Sequence, residues 1–230
     1  IKSRHLPQKP EFLSACGTIA TDKLRHAVTE HTYAVLPDEL RATMNALEKK
    51  LAVRYNPSLI DTELDKAMYR QIFLNLQKRR LPLATKYFKA KVDLQNFIIL
   101  MRVKAMGKDA AFFESVALGG GDVPVKTYQK AFEDNDPLVK LLKHYGVPVY
   151  QAALSAALNP AKLPHMEKIA DDYLYNLFQQ HRYDSASMEM IIAYLLQRQR
   201  EATDVRLMMA GKLNGFTPEA VAERVRALHG

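Results

Sequence analysis

The sequence predicts an all-α fold, and three observations carry that prediction. Apolar residues recur at steps of three and four through most of the chain, the spacing of one helical face. Alternating apolar and polar residues never run far; the best strand candidate, Val147–Tyr150, contains Pro148. Nine glycines and eleven prolines in 230 residues are too few for a sandwich built on tight turns.

The helices follow in order. Residues 38–53 place Leu40, Met44, Leu47 and Leu51 on one face. Residues 61–76 continue with Leu64, Met68, Ile72 and Leu76, with Asp61 and Thr62 as candidate N-caps. Residues 166–178 carry Ile169, Tyr173, Leu174 and Leu177 in the same pattern. A long helix is expected over 185–209, with Ser185 or Ser187 as its cap and Glu189 as an early acid. Breaks are expected at Pro7, Pro10, Asn56-Pro57, Leu81-Pro82, Gly119–Gly121, Gly146–Pro148, Asn159-Pro160 and Asn214-Gly215, giving some ten helices.

Composition narrows the class. With 48% apolar and 25% charged residues the chain has the balance of a globular protein. Its longest apolar runs, such as Ile191–Leu196 and Phe97–Met101, fall far short of the about 20 residues a bilayer-spanning helix needs. The single cysteine, Cys16, cannot close an intrachain disulfide, which argues against a stapled secreted scaffold and for a reducing compartment. A buried thiol is expected there. Residues 1–10 lack the apolar core of a signal peptide. The chain opens on Ile1 in what reads as a connecting segment, so a preceding portion is expected.

The charge is localised. Lys and Arg exceed Asp and Glu by 33 to 25, and residues 78–108 hold the whole excess: nine bases with Asp93 as the one acid. Lys78, Arg79, Arg80, Lys86, Lys89 and Lys91 form a candidate interaction surface for phosphate, anionic headgroups or an acidic protein. A solvated helix face is the competing reading.

Landmarks also repeat at 103 to 108 residues. DLQNFIILMRVKAMG, from Asp93, aligns with EATDVRLMMAGKLNG, from Glu201, pairing Asn96 with Asp204, Lys104 with Lys212 and Gly107 with Gly215. Asn56-Pro57 echoes Asn159-Pro160, and Cys16–Val28 echoes Gly120–Phe132. The expected organisation is therefore the tail of a first repeat (1–50), a second repeat (51–155) and a third (156–230). Asp93 and Lys104 are three turns apart, about 16 Å along one face, and cannot pair with each other. Each should meet a partner on a neighbouring helix or a bound protein, as should Glu201 and Lys212.

Catalytic signatures are missing. Gly211-Lys212 is followed by Leu213 and lacks a phosphate-loop frame; Gly119–Gly121 lacks the lysine and reads as a flexible turn. No HExxH occurs, and His26 and His31 are five apart, off one helical face. Asp171 and Asp172 are adjacent and diverge on a helix, suiting a solvated face or cap. No catalytic residue, cofactor or metal ligand is proposed from the sequence.

VDLQNFIILMRVKAMGKD, followed a repeat later by AYLLQRQREATDVRLMMAGKLNGFTPE, resembles the family of C subunits of archaeal-type and bacterial V-type ATPases, whose eukaryotic vacuolar counterpart is called d. The resemblance runs from about Gly17 to Val225. It implies three related helical bundles in a pseudo-threefold, funnel-like arrangement, the first incomplete here. It further implies a non-catalytic component of the central stalk, a socket joining the shaft subunits to the membrane rotor ring of proteolipids. The pumped ion would be a proton or sodium, with membrane contact only peripheral, on the cytoplasmic face, and no nucleic acid bound. The alternatives are a basic helical nucleic-acid-binding protein, with Tyr87 and Phe88 as stacking residues, and a helical-repeat scaffold of another complex.

Overall fold

The computed structural model describes residues 16–53, 55–179, 188–222 and 225. Among them are eleven α-helices and no strand, so the fold is all-α. They are α1 (Thr21–Thr29), α2 (Asp38–Val53), α3 (Pro57–Arg79), α4 (Pro82–Ala105), α5 (Ala110–Val116), α6 (Val125–Lys130), α7 (Asp136–Leu141), α8 (Val147–Leu158), α9 (Leu163–Gln179), α10 (Met188–Leu213) and α11 (Pro218–Ala222). No helix among the described residues is long and apolar enough to cross a membrane.

Proline opens these helices more than it ends them. Pro57, Pro82 and Pro218 are first residues, and Pro148 is the second residue of α8. Its fixed φ suits the first turn, where the missing N–H has no intrahelical partner to lose. Val147–Tyr150 is therefore the first turn of a helix, not a strand. The same rule moves the start of α3 a turn ahead of Asp61. Asn56 Oδ1 accepts from Ser58 N at 3.1 Å, so Asn56 does the work assigned to Asp61 and Thr62. Thr62 instead donates its hydroxyl to Ser58 O at 3.0 Å. Ser185, Ser187, Pro7 and Pro10 lie outside the described residues. Cys16 is exposed, not buried.

The chain divides into two compact units, residues 1–75 and 76–230. In the first, Ala27, Tyr33, Met44, Leu47 and Ile60 form a core, with Val28, Leu36 and Leu51 among the residues packed on it. Lys50 bridges to Glu63 at 3.0 Å, and Arg70 reaches Thr43 Oγ1 at 3.1 Å and Glu39 at 3.3 Å. These exposed pairs orient the helices more than they stabilise them.

In the second unit α4 is the central element. It packs against α9, α5, α6 and α10, and from Ala84 to Val103 it is buried on both faces. That burial follows from a sequence apolar on most of its surface, which needs cover on more than one side, while Lys86 and Arg102 keep to the exposed positions. Its first N–H groups, which no intrahelical carbonyl can serve, are answered from a distance. Leu83 N and Ala84 N both donate to Glu189 Oε1 of α10, at 2.8 and 3.1 Å. A carboxylate at a helix N-terminus also meets the positive end of the helix dipole.

One local unit recurs. α4 ends on Gly107 (φ 65°), with Gly107 N bonded to Lys104 O at 3.0 Å and Lys108 N to Val103 O at 3.1 Å. α10 ends on Gly215 (φ 70°), with Gly215 N bonded to Lys212 O at 3.2 Å and Phe216 N to Gly211 O at 2.9 Å. Two residues on, Asp109 Oδ1 caps Phe112 N at 2.8 Å and Thr217 Oγ1 caps Ala220 N at 3.3 Å. Every member of the first set matches its counterpart at the sequence offset of the repeat.

Candidate functional site

The charged residues of the second unit sort into three places: a buried hub on α4, a basic run before and along it, and a cleft between α4, α9 and α10.

The hub is Asp93. It is fully buried, and its carboxylate accepts from Asp122 N at 2.9 Å, Val123 N at 3.2 Å, the Tyr128 hydroxyl at 3.2 Å and the Tyr145 hydroxyl at 2.6 Å. One turn on, Asn96 closes a two-way bond with the backbone of Leu118, donating to its carbonyl and accepting from its N–H at 2.9 Å each. Together the two side chains hold the loop between α5 and α6. Gly119–Gly121, expected to be a flexible turn, is drawn tight around this carboxylate: Gly120 takes φ 100° and Gly121 lies directly against Asp93.

Burial raises the Asp93 carboxyl above its ordinary range, opposed in order by hydrogen bonds from Tyr145, Val123, Asp122 and Tyr128. Burial together with this carboxylate also pushes both tyrosine hydroxyls well up, so each stays a donor. A sealed carboxylate whose donors all come from its own chain locks a loop; it has no open side toward a ligand. Sequence reasoning picked out Asp93 and missed Tyr128 and Tyr145, which lie 35 and 52 residues away. Lys104 is likewise satisfied internally, donating to Ala131 O and Asn135 Oδ1 at 2.9 Å each. Burial lowers its pKa, partly offset by Asp134.

Glu201 and Lys212, aligned with Asp93 and Lys104, sit differently. Glu201 pairs with exposed Arg198 at 2.5 Å, and Lys212 is exposed. The fully buried acid of α10 is Asp204, which aligns with Asn96.

The basic residues differ in their surroundings. Lys78, Arg79, Arg80 and Lys86 are exposed. Lys89 bridges to Asp122 at 2.7 Å, beside the hub loop. Lys91 turns into the cleft, where its ammonium lies 5.8 Å from the Tyr87 ring centroid and burial lowers its pKa, against the pull of Asp171. Tyr87 is itself packed in the core against Phe178, with ring centroids 5.1 Å apart, and Phe88 is half-buried, so neither ring stands free to stack on a base.

The cleft is lined by Tyr87, Lys91, Asp171, Tyr175, Phe178 and Arg200 among others. The Arg200 guanidinium lies over Tyr175, 4.5 Å from its centroid, and bonds Asp172. Asp172, expected to be solvated, thus ties α9 to α10, while Asp171 is exposed at the cleft wall. No group of three His, Cys, Asp or Glu residues among the described residues could hold a metal ion.

Comparison with known proteins adds what this geometry does not specify. The family model described as ATP synthase (C/AC39) subunit matches residues 1–224. The C subunit of the V-type sodium ATPase of Enterococcus hirae is 22% identical over 220 residues, covering 93% of this chain and 65% of that protein. The C subunits of the A-type ATP synthases of Methanosarcina mazei and Thermococcus kodakarensis are 23% and 24% identical, covering 94% and 77% of this chain and 61% and 49% of theirs. The chain thus spans about half to two thirds of the length of these relatives. No solved structure matches. The chain belongs to the ATP synthase (C/AC39) subunit family.

Proposed function

We propose that this member of the C/AC39 family is a non-catalytic subunit of a V/A-type rotary ATPase, acting as a socket between the central shaft and the membrane rotor ring on the cytoplasmic face. The family match over residues 1–224 carries this reading. A torque-bearing adaptor needs a stiff helical body and a polar docking surface. The second unit offers the first in α4, packed on both faces and pinned at its N-terminus by Glu189. Lys78, Arg79, Arg80 and Lys86 offer the second: exposed cations that would meet acidic residues of the shaft or ring, while Lys89 is engaged by Asp122 and Lys91 lines the cleft. The recurrent helix ends at Gly107 and Gly215 support a repeated organisation, here proposed as a first repeat ending near residue 50 and others over 51–155 and 156–230.

Reconstitution with purified shaft subunits and rotor ring tests the proposal. Binding to both is expected, weakening as salt is raised, and falling at least tenfold when Lys78, Arg79, Arg80 and Lys86 are all replaced by Glu. Binding to neither partner, or a salt-dependent shift of nucleic acid instead, would overturn it.

A further inference from the structure

Among the described residues, each half-buried cation of α4 but one has an acceptor of its own. Lys89 bridges to Asp122 at 2.7 Å, and Lys104 donates to Ala131 O and Asn135 Oδ1 at 2.9 Å each. Lys91, also half-buried, makes no hydrogen bond or ion pair among the described residues. Its ammonium lies 5.8 Å from the centroid of the Tyr87 ring, in the cleft between α4, α9 and α10. Asp171 attracts it from the cleft wall without closing an ion pair. A charge held partly out of water with no hydrogen-bonding counter-charge is unfavourable, and an anion entering the cleft would offset that cost.

The other residues of the cleft set what that anion should carry. Leu174 and Phe178 of α9, 6% and 3% exposed, and Ala193 and Leu196 of α10 give it an apolar side. Arg200 is already engaged, bonded to Asp172 and laid over Tyr175. The lining therefore offers one uncommitted cation, enough for a single negative charge, and the exposed Asp171 carboxylate opposes a second. The cleft holds about 160 Å³, close to the roughly 150 Å³ of an apolar cavity that takes one benzene ring.

We propose that this cleft binds a small organic monocarboxylate with an apolar body about the size of one ring. Its carboxylate meets the Lys91 ammonium, and its body lies on Leu174, Phe178 and Leu196. A molecule bound there touches α4, α9 and α10 at once and braces the second unit where its long helices meet. The inference stands apart from the function proposed above.

Isothermal titration of the chain with phenylacetate tests it, beside acetate, phenylacetamide and inorganic phosphate. Phenylacetate should bind with a dissociation constant in the millimolar range or below, within what about ten non-hydrogen atoms supply. Acetate lacks the ring, phenylacetamide lacks the charge and phosphate lacks the apolar body, so each should bind at least tenfold more weakly. Lys91→Met keeps the length of the side chain and should lower phenylacetate affinity at least tenfold, while Lys86→Met, at an exposed cation of the same helix, should change it less than twofold. In the unsubstituted chain, methyl NMR should locate the ring by shifts at Leu174, Ala193 and Leu196, a readout that needs no variant to fold. The inference is overturned by no binding of phenylacetate, by equal binding of any of the other three probes, by methyl shifts elsewhere, or by unchanged affinity in a folded Lys91→Met variant.

Discussion

A Cβ built on Gly121 falls 2.0 Å from Asp93 Oδ1, closer than any side chain could stand. The loop glycine and the helix carboxylate are therefore one device: the backbone comes near enough for Asp122 N and Val123 N to reach Asp93 only because residue 121 has no side chain. Gly119, two residues earlier, has nothing within 4 Å of its Cβ position. Gly121→Ala should thus cost about 2–3 kcal/mol through overpacking and lost hydrogen bonds, while Gly119→Ala should stay within about 0.5 kcal/mol of the parent. Urea denaturation of the two variants decides it; equal effects would mean that the glycines serve only backbone freedom.

Asp93 also carries a pH dependence with a definite sign. Its folded pKa lies above that of the unfolded chain because burial outweighs the four donors. The stability it contributes is then fully present below about pH 3.9, the unfolded value, and is lost as pH rises through the higher folded value. Asp93→Asn removes this titration and turns an amide toward N–H donors, costing about 1–3 kcal/mol. The gap between parent and variant should narrow as pH is raised from 4 to 7 in a denaturation series. A gap that widens would show the hydrogen bonds winning over burial.

Much of this was legible in sequence, and the part that was not has a common cause. Periodicity exposed the long helices because apolar spacing is a local property, and the repeat flagged Asp93, Asn96, Lys104 and Gly107 because their chemistry recurs. Tyr128 and Tyr145 left no such mark, and Glu189 is marked only as an early acid of its own helix; the role of each comes through a residue 35 to 106 positions away. Alignment also misled at α10, pairing Asp93 with Glu201 although the buried acid there is Asp204. Identity at an aligned position does not fix which side of a helix finds cover.

Glu189 shows what such a distant contact is worth. Glu189→Ala leaves Leu83 N and Ala84 N without their carboxylate and should cost about 1–2 kcal/mol, the loss typical of a removed cap. Glu189→Gln keeps an acceptor and gives up only the charge, so its cost should be about half. Hydrogen exchange at the amides of Leu83 and Ala84 reads the effect directly. Acceleration confined to the first turn of α10, with α4 unchanged, would place the role of Glu189 in its own helix.

Arg80 occupies the kind of position that Gly107 and Gly215 occupy, and it is not glycine. α3 ends with Arg80 at φ 52°, Arg80 N bonded to Gln77 O and Leu81 N to Leu76 O, both at 3.4 Å: the same pair of bonds that closes α4 and α10. A non-glycine residue in this conformation costs about 1–2 kcal/mol, and glycine gives back about 0.5–1 kcal/mol through its freer unfolded chain. Arg80→Gly should therefore raise stability by about 0.5 kcal/mol, a shift of a degree or more in Tm. If Arg80 belongs to the docking surface, the same variant should bind shaft and ring more weakly, while Arg80→Lys keeps binding and gains no stability. Calorimetry and the reconstitution assay measure the two effects independently. A variant that is more stable and binds as well as the parent would leave the strained arginine with no role in docking.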